Sequence, residues 1–186
     1  MRANLKFLSI IQISTAIFVL SFSVSAMAKS EKLEKVGDVG QYGIPLVAGA
    51  ISLYHLDGEG LLELGEGAIW TALSTHILKS TVDATRPDGT DHSFPSAHTS
   101  SAAQGAAYLQ FRYGYQYGIP AFIAAGVIGY SRIDADRHYW RDVAAGFALG
   151  TGIQYLVSQQ GWSVTELAIV PYIESKGVGV AVSFRY

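Results

Sequence analysis

The chain has 186 residues, with 13 basic and 15 acidic side chains and a formal net charge of -2. This length suits a single domain, and the near-neutral charge excludes a protein that holds nucleic acid through bulk positive charge. Cysteine is absent, which excludes disulfides, thiolate metal sites and a cysteine nucleophile. Because 49% of the residues are hydrophobic and only 15% are charged, the chain is more apolar than most soluble domains, and a membrane has to be considered.

The N-terminal segment predicts export. Two basic residues flank the start, an uncharged apolar run covers about residues 7–26, and a small-x-small pattern typical of a signal-peptidase site ends at Ala28. We therefore expect residues 1–28 to be a cleaved signal peptide and residues 29–186 to form one domain outside the cytosol. An uncleaved anchor helix is the alternative, because the apolar run is long enough to span a bilayer.

Apolar segments rich in glycine and alanine follow, each bounded by a breaker or a charged residue, and each predicts a helix. The predicted helices cover about residues 43–54, 61–80, 96–112, 119–132 and 139–157. Their small side chains let helices approach closely, which suits either a tight bundle or packing within a membrane. The uncharged stretches 113–131 and 143–165 could span a bilayer, although their Gln and Gly content is high for a lipid-facing surface. The predicted core covers about residues 40–160.

The C-terminal segment differs in character from the rest of the chain. Residues 164–173 and 178–186 carry β-branched and aromatic side chains in partial alternation, separated by a short polar stretch that ends in Gly177. This pattern is typical of a β-hairpin. We therefore predict a mainly α fold with a short hairpin at about residues 164–186.

Polar residues interrupt the apolar chain in three places. Lys79 and Arg86 are seven residues apart, so both can lie on one face of a helix, and Pro87 favours a loop conformation for Arg86. These two cations could bind an anion. In the second cluster, a turn opens a predicted helix, and its unpaired backbone N–H groups and the Ser96 hydroxyl can hold a phosphate oxygen. His98 would then lie beside the anion.

The third cluster contains Arg132, His138 and Asp142. The histidine and the aspartate are four residues apart, which places them on one helical face. The carboxylate can then accept a hydrogen bond from one ring nitrogen and leave the other as a nucleophile or base. Each cluster taken alone is weak evidence, because surface cations, helix caps and structural His–Asp pairs are common.

Together, the three clusters resemble the signature of the superfamily that contains type 2 phosphatidic acid phosphatases, bacterial nonspecific acid phosphatases and vanadium-dependent haloperoxidases. That signature is a Lys, six residues and Arg-Pro, then Pro-Ser-Gly-His, and last Ser-Arg, five residues, His, three residues and Asp. The chain matches it in order at residues 79–87, 95–98 and 131–142.

The resemblance implies a helical bundle of the phosphatidic acid phosphatase and haloperoxidase type. It also implies that His138 attacks phosphorus to give a phosphohistidine, that Asp142 orients it, and that His98 protonates the leaving oxygen. The implied phosphate-binding residues are Lys79, Arg86, Ser96, Ala97 through its backbone N–H, and Arg132. Neither a metal ion nor another cofactor is implied.

The chain departs from the signature at two positions. Ala97 replaces the usual glycine of the second motif, which a helix-start conformation would tolerate. Asp136 stands where many relatives carry glycine, and with Asp134 it places negative charge near the anion site. Arg137 and Arg141 could offset that charge.

We expect a phosphatase that hydrolyses a lipid phosphate or lipid diphosphate, of the phosphatidate, prenyl diphosphate or lipid A type, in the inner membrane with its site facing the periplasm. A soluble periplasmic nonspecific acid phosphatase acting on small phosphate esters is one alternative. A non-catalytic envelope protein that binds a phosphorylated partner is another. A haloperoxidase is disfavoured, because such enzymes resemble much longer chains. The nucleophile must be neutral and the acid protonated, so we expect a bell-shaped pH profile.

Overall fold

A computed structural model of the protein describes residues 31–160, 167–174 and 177–184. The predicted signal peptide, residues 1–28, lies outside the described residues. In chain order the elements are α1 (Glu31–Tyr54), α2 (Gly58–Thr81), α3 (Ala97–Tyr113), α4 (Tyr115–Asp134), α5 (Trp140–Gln160), β1 (Leu167–Glu174) and β2 (Gly177–Phe184). The mainly helical fold predicted from the sequence is confirmed.

Helix α1 begins at Glu31, whereas the sequence predicts a helix only from residue 43. Charged residues in its first turns conceal a stripe of apolar and small residues at spacings of three, four and seven, which faces the bundle. The buried stripe includes Leu33, Gly37, Ile44, Ala48 and Ile51. A Cβ atom at Gly37 would overlap the side chains of Ser131 and Arg132. Glycine therefore lets α1 approach the end of α4 closely.

Helix α3 is the centre of the bundle and packs against the other four helices. Its buried side chains are mostly small, and they include Ala102, Ala103, Ala106 and Ala107. Gly150 of α5 lies so close to α3 that a Cβ atom there would overlap the carbonyl oxygen of Ser100. This close packing holds the start of α5 beside the start of α3, so the second and third sequence clusters lie together.

The connection between α2 and α3, residues 82–96, is closed by its own backbone hydrogen bonds. Arg86 N donates to the carbonyl oxygen of Thr90 at 2.7 Å, and Ser93 N donates to that of Ala84 at 2.8 Å. The peptide bond before Pro95 is cis. The loop therefore has a defined path, along which Arg86 is placed near the N-terminus of α3.

In the C-terminal segment, β1 pairs antiparallel with β2, from Leu167 opposite Phe184 to Glu174 opposite Gly177. Among the helices that the structure describes, none combines the length and the apolar character needed to cross a membrane.

Candidate active site

A buried histidine–carboxylate pair occupies the start of α5. The side chain of His138 is 3% exposed and that of Asp142 is fully buried, and Nδ1 of the ring lies 3.7 Å from Oδ2 of the carboxylate. This distance is longer than a hydrogen bond. Asp142 Oδ2 instead accepts hydrogen bonds from the Ser93 hydroxyl at 2.6 Å and from the Tyr139 backbone N–H at 2.9 Å. The carboxylate is thus fixed by two donors and lies adjacent to the ring without bonding to it.

The sequence motifs did not point to Ser93. Its side chain is fully buried, and it reaches Asp142 across 49 residues of chain. The only signal available in the sequence is its position just before the cis-proline turn that opens α3. Ser93 therefore helps to orient the aspartate from the connection between α2 and α3.

The surroundings of His138 keep its imidazole neutral. Burial, followed by the positive charges of Lys79 and Arg86, lowers the pKa of His138 to about 4, while Asp142 opposes the shift. At neutral pH the ring therefore has a free lone pair, as a nucleophile requires. Because the loop and the end of α2 supply both cations, the first sequence cluster faces the third.

Lys79 is held in place by reciprocal contacts with the loop. Its Nζ donates to the carbonyl oxygen of His92 at 2.8 Å, and Nδ1 of His92 lies 2.8 Å from the carbonyl oxygen of Lys79. Burial and then the charge of Arg86 lower the pKa of Lys79 to about 8. Nε of Arg86 donates to the carbonyl oxygen of Asp91 at 3.2 Å. The two cations repel each other and are positioned by backbone carbonyls rather than by carboxylates.

Ser96 caps α3, and its hydroxyl oxygen accepts a hydrogen bond from within the same helix. The Ser96 Oγ accepts a hydrogen bond from the Thr99 hydroxyl at 2.9 Å, and its backbone N–H donates to the carbonyl oxygen of Asp142 at 3.0 Å. Ala97 is the first residue of α3, the helix-start position at which a methyl group is tolerated. The motif turn is therefore joined directly to the helix that carries the histidine–carboxylate pair.

Arg132 and His98 both contact Asp38, a residue that the sequence motifs did not identify. Arg132, with 2% of its side chain exposed, donates from Nη1 to Asp38 Oδ1 at 2.7 Å, and the same oxygen lies 3.0 Å from His98 Nε2. The other nitrogens of Arg132 donate to the backbone oxygen of Glu34 and to the Ser131 hydroxyl. Asp38 and Glu34 lie on α1, upstream of the helix that the sequence predicts.

Arg137 and Arg141 are the two cations that follow Asp136, the second departure from the signature. Arg137 pairs with Glu34 at 3.0 Å and with Asp88 at 3.2 Å. Arg141 lies over the Tyr139 ring, 5.1 Å from its centroid. Within the part of the chain that the structure describes, no group of three or more His, Cys, Asp or Glu side chains is arranged to hold a metal ion.

The predicted residues share one electrostatic environment. Lys79, Arg86 and His98 all act on the pKa of His138, and Arg132 and Arg86 act on that of His98. The fold and these side chains together define a helical bundle with a basic, histidine-containing site at one end. Residues 60–166 match the sequence model of the PAP2 superfamily. Since the match spans more than half of the chain, the chain belongs to the PAP2 superfamily.

Relatives and solved structures are similar to this chain over 44% to 83% of its length. The lipid A 4'-phosphatase of Helicobacter pylori is 29% identical over 140 residues, which cover 69% of this chain and 70% of that protein. The lipid A 1-phosphatase of Porphyromonas gingivalis is 36% identical over 86 residues, 44% of this chain and 18% of that protein. The PAP2-type phosphatidylglycerolphosphate phosphatase of Bacillus subtilis shares the fold with a TM-score of 0.57 at 24% identity, covering 83% of this chain and 86% of that one. For Aquifex aeolicus LpxE the TM-score is 0.53 at 23% identity, covering 66% and 85%.

Proposed function

We propose that the chain is a phosphatase that hydrolyses a lipid phosphate or lipid diphosphate through a phosphohistidine on His138. The observation that carries the proposal is a buried, neutral imidazole that faces Lys79 and Arg86 and lies beside a fully buried Asp142. A neutral ring among cations favours the approach of a phosphate and leaves a lone pair to attack it. The similarity to the Helicobacter pylori lipid A 4'-phosphatase supports the reaction class.

The proposed reaction has two steps. In the first, Nε2 of His138 forms a bond to phosphorus, the bond from phosphorus to the ester oxygen breaks, and His98 gives its proton to the departing oxygen. In the second, His98 takes a proton from water, the water oxygen bonds to phosphorus, and the bond from phosphorus to His138 breaks to release inorganic phosphate. Asp142 lies on the Nδ1 side of the nucleophile, at 3.7 Å, where it stabilises the positive charge that develops on the ring.

Catalysis of phosphoryl transfer consists mostly of positioning and of stabilising spread negative charge. Lys79, Arg86 and Arg132 supply three positive charges, and the backbone N–H at the start of α3 adds a donor. The proposed mechanism therefore requires no metal ion, and EDTA should leave the activity unchanged.

Apolar surface beside the site supports a lipid substrate. Trp140, two residues after the nucleophile, is 64% exposed, and Tyr139 is 44% exposed. Large apolar side chains are also exposed on the helices, among them Leu46, Leu53, Ile69, Ile119 and Ile123. Large apolar side chains exposed in this number support contact with a membrane or an apolar ligand. We propose that the protein is exported, contacts the inner membrane and acts on the periplasmic side.

A substrate panel assayed in EDTA tests the proposal. It should contain a lipid A 4'-phosphate, a phosphatidylglycerophosphate, a prenyl diphosphate, phosphatidate and a chromogenic small ester. We expect the lipid substrates to be hydrolysed with much higher kcat/KM than the small ester. Activity on the small ester alone would favour a soluble acid phosphatase, and phosphate binding without turnover of any substrate would favour a non-catalytic binding protein.

The covalent intermediate has its own test. With a substrate labelled in the phosphoryl group, we expect the wild type, denatured in alkali, to retain label that acid releases, because a phosphorus–nitrogen bond is acid-labile. The matched control is His138→Ala, which should retain none. Label retained equally by this variant would contradict attack by His138.

A further inference from the structure

Asp38 is a carboxylate of α1 that enters the site and has no part in the reaction proposed above. Its Oδ1 lies 3.0 Å from His98 Nε2 and 2.7 Å from Arg132 Nη1. We infer that Asp38 is a positioning residue, which holds His98 in the orientation and the protonation state of the proton donor. This inference rests on the proposed function, because it gives Asp38 a role only if His98 protonates a leaving oxygen.

The geometry accounts for orientation. A bond from Nε2 of His98 to Asp38 fixes the plane of the ring and leaves Nδ1 as the nitrogen available to a substrate. The site then contains two histidine–carboxylate pairs with different tasks. Asp142 is fully buried beside the nucleophile, whereas Asp38 is 51% exposed beside the proton donor.

The surroundings as a whole lower the pKa of His98, and Asp38 is the group that opposes this shift. The groups that act on His98 come from several elements: Arg132 from α4, Arg86 from the α2–α3 loop, His138 from the α4–α5 turn and Asp38 from α1. Burial, Arg132 and Arg86 lower the pKa of His98, while the hydrogen bond and the charge of Asp38 raise it. Without Asp38, the His98 ring would experience only burial and neighbouring positive charge. A smaller fraction of the ring would then carry the proton that the leaving oxygen needs.

Asp38 also contacts a phosphate-binding cation, so a competing interpretation is that its carboxylate occupies the place of a substrate oxygen. The contacts of Arg132 favour the positioning role. Its guanidinium is held by α1 at two points, Asp38 and the backbone oxygen of Glu34, and Gly37 lies directly beneath it. Asp38 is therefore part of the packing that places the arginine.

The test compares the full-length wild type with Asp38→Asn, a change that keeps the size of the side chain and removes its charge. We expect kcat to fall about ten-fold, with a smaller change in KM, because part of the general-acid contribution is lost. The alkaline limb of the pH profile should move to lower pH, since the pKa of His98 falls when the carboxylate charge is removed. Glu31→Gln, which removes an exposed charge from the same helix, is the matched control and should show neither effect.

Two further measurements separate positioning from general damage. If Asp38 acts mainly through His98, Asp38→Asn should cause a much smaller loss in a His98→Asn background than in the wild type, and only the contribution made through Arg132 should remain. The loss should also be smaller for a nitrophenyl ester than for an alkyl ester, because a good leaving group needs less protonation. Full additivity in the double variant, or equal losses for both esters, would overturn the inference.

The remaining outcomes distinguish this inference from the proposed function. A lower KM, faster turnover and an unchanged alkaline limb in Asp38→Asn would show that the carboxylate competes with phosphate, and positioning would be wrong. An active wild type with an indistinguishable Asp38→Asn variant would overturn only the role of Asp38. A wild type that hydrolyses none of the phosphate substrates would refute the proposed function and this inference with it.

Discussion

The two ends of the bundle both contain charged clusters, and they are built in opposite ways. Near the start of α2 and the end of α3, Arg112 donates to both oxygens of Asp57, at 2.8 and 2.6 Å, and Tyr113 donates to one of them at 2.9 Å. These bonds hold the pKa of Asp57 well below its usual range. Arg112 also pairs with Glu63 at 3.2 Å, so this cation is fully partnered within the protein and needs no ligand.

At the site, the charges are only partly matched, because Arg132 pairs with Asp38 whereas Lys79 and Arg86 donate to backbone carbonyls. Nδ1 of His138 and Oδ1 of Asp142 are buried with no hydrogen-bond partner among the described residues. Burial and then the charge of Arg86 lower the pKa of Lys79, and both cations disfavour a charged imidazole on His138. Such an arrangement gains stability when an anion arrives. The contrast indicates that one cluster stabilises the fold, whereas the other stores unfavourable charge that a phosphate would relieve.

Of the substitutions considered, His138→Ala should have the largest effect. If the site end exists for chemistry, removing the nucleophile should lower kcat/KM by roughly 10⁴-fold or more while the protein stays folded. Steady-state kinetics on the best lipid substrate, with circular dichroism as the check on folding, measure the effect. Substantial residual turnover by the folded variant would place the nucleophile elsewhere.

Lys79→Met should have the second largest effect. It keeps an apolar side chain of similar length and removes one of the two cations that face the nucleophile, so we expect kcat/KM to fall about 10²-fold to 10³-fold. Its stability should not fall, because a repulsion with Arg86 is removed. Lys35→Met is the control, since that lysine pairs with Glu31 on the exposed surface. Equal activities for the two variants would contradict a phosphate-binding role for Lys79.

At the opposite end, Arg112→Ala should show the reverse pattern. We expect a loss of about 2 kcal/mol in the free energy of unfolding, because Asp57 loses its bidentate partner, with little change in kcat. The folded pKa of Asp57 is lowered, so its stabilising contribution is present above about pH 4 and is lost as the pH falls below that value. Urea unfolding at neutral and acid pH should therefore show a smaller difference from wild type in acid. A constant difference would assign the loss to packing instead.

The last prediction concerns the pH dependence of the wild-type activity. The pKa of His138 is lowered to about 4, so kcat/KM should decline only below that pH, as the ring gains a proton and loses its lone pair. On the alkaline side the activity should decline as His98 loses its proton and, near pH 8, as Lys79 loses its own. Profiles of kcat/KM across this range are the measurement. A rate that stays flat from pH 4 to 9 would contradict the roles of His98 and Lys79, and a rate that does not decline below pH 4 would contradict that of His138.

Much of the candidate site could be predicted from the sequence because its parts are local. His138 and Asp142 are one helical turn apart, and Ser96 and His98 share a helix start, so chain geometry alone brings each pair together. Lys79 and Arg86 are not brought together in this way, because α2 ends at Thr81 and Arg86 lies in the loop that follows. The order of the three motifs along the chain also predicted the family.

Other features could not be predicted, because they depend on contacts between distant segments. The start of α1 has a polar sequence. Its buried stripe, which includes Gly37, can be recognised only from its contact with α4. The hydrogen bond expected between His138 and Asp142 is replaced by a gap of 3.7 Å, since Ser93 and a backbone N–H already hold the carboxylate.

From the sequence alone, the helical class and the three motifs could be predicted, because they follow from periodicity and short spacing, and the resemblance carried by the motifs then predicted which residues bind and attack a phosphate. The tertiary structure alone decided which carboxylates serve which cations. Asp38 meets His98 across 60 residues, and Asp57 meets Arg112 across 55. No local rule predicts such pairs, since they arise only where close helix packing brings remote side chains within hydrogen-bonding distance.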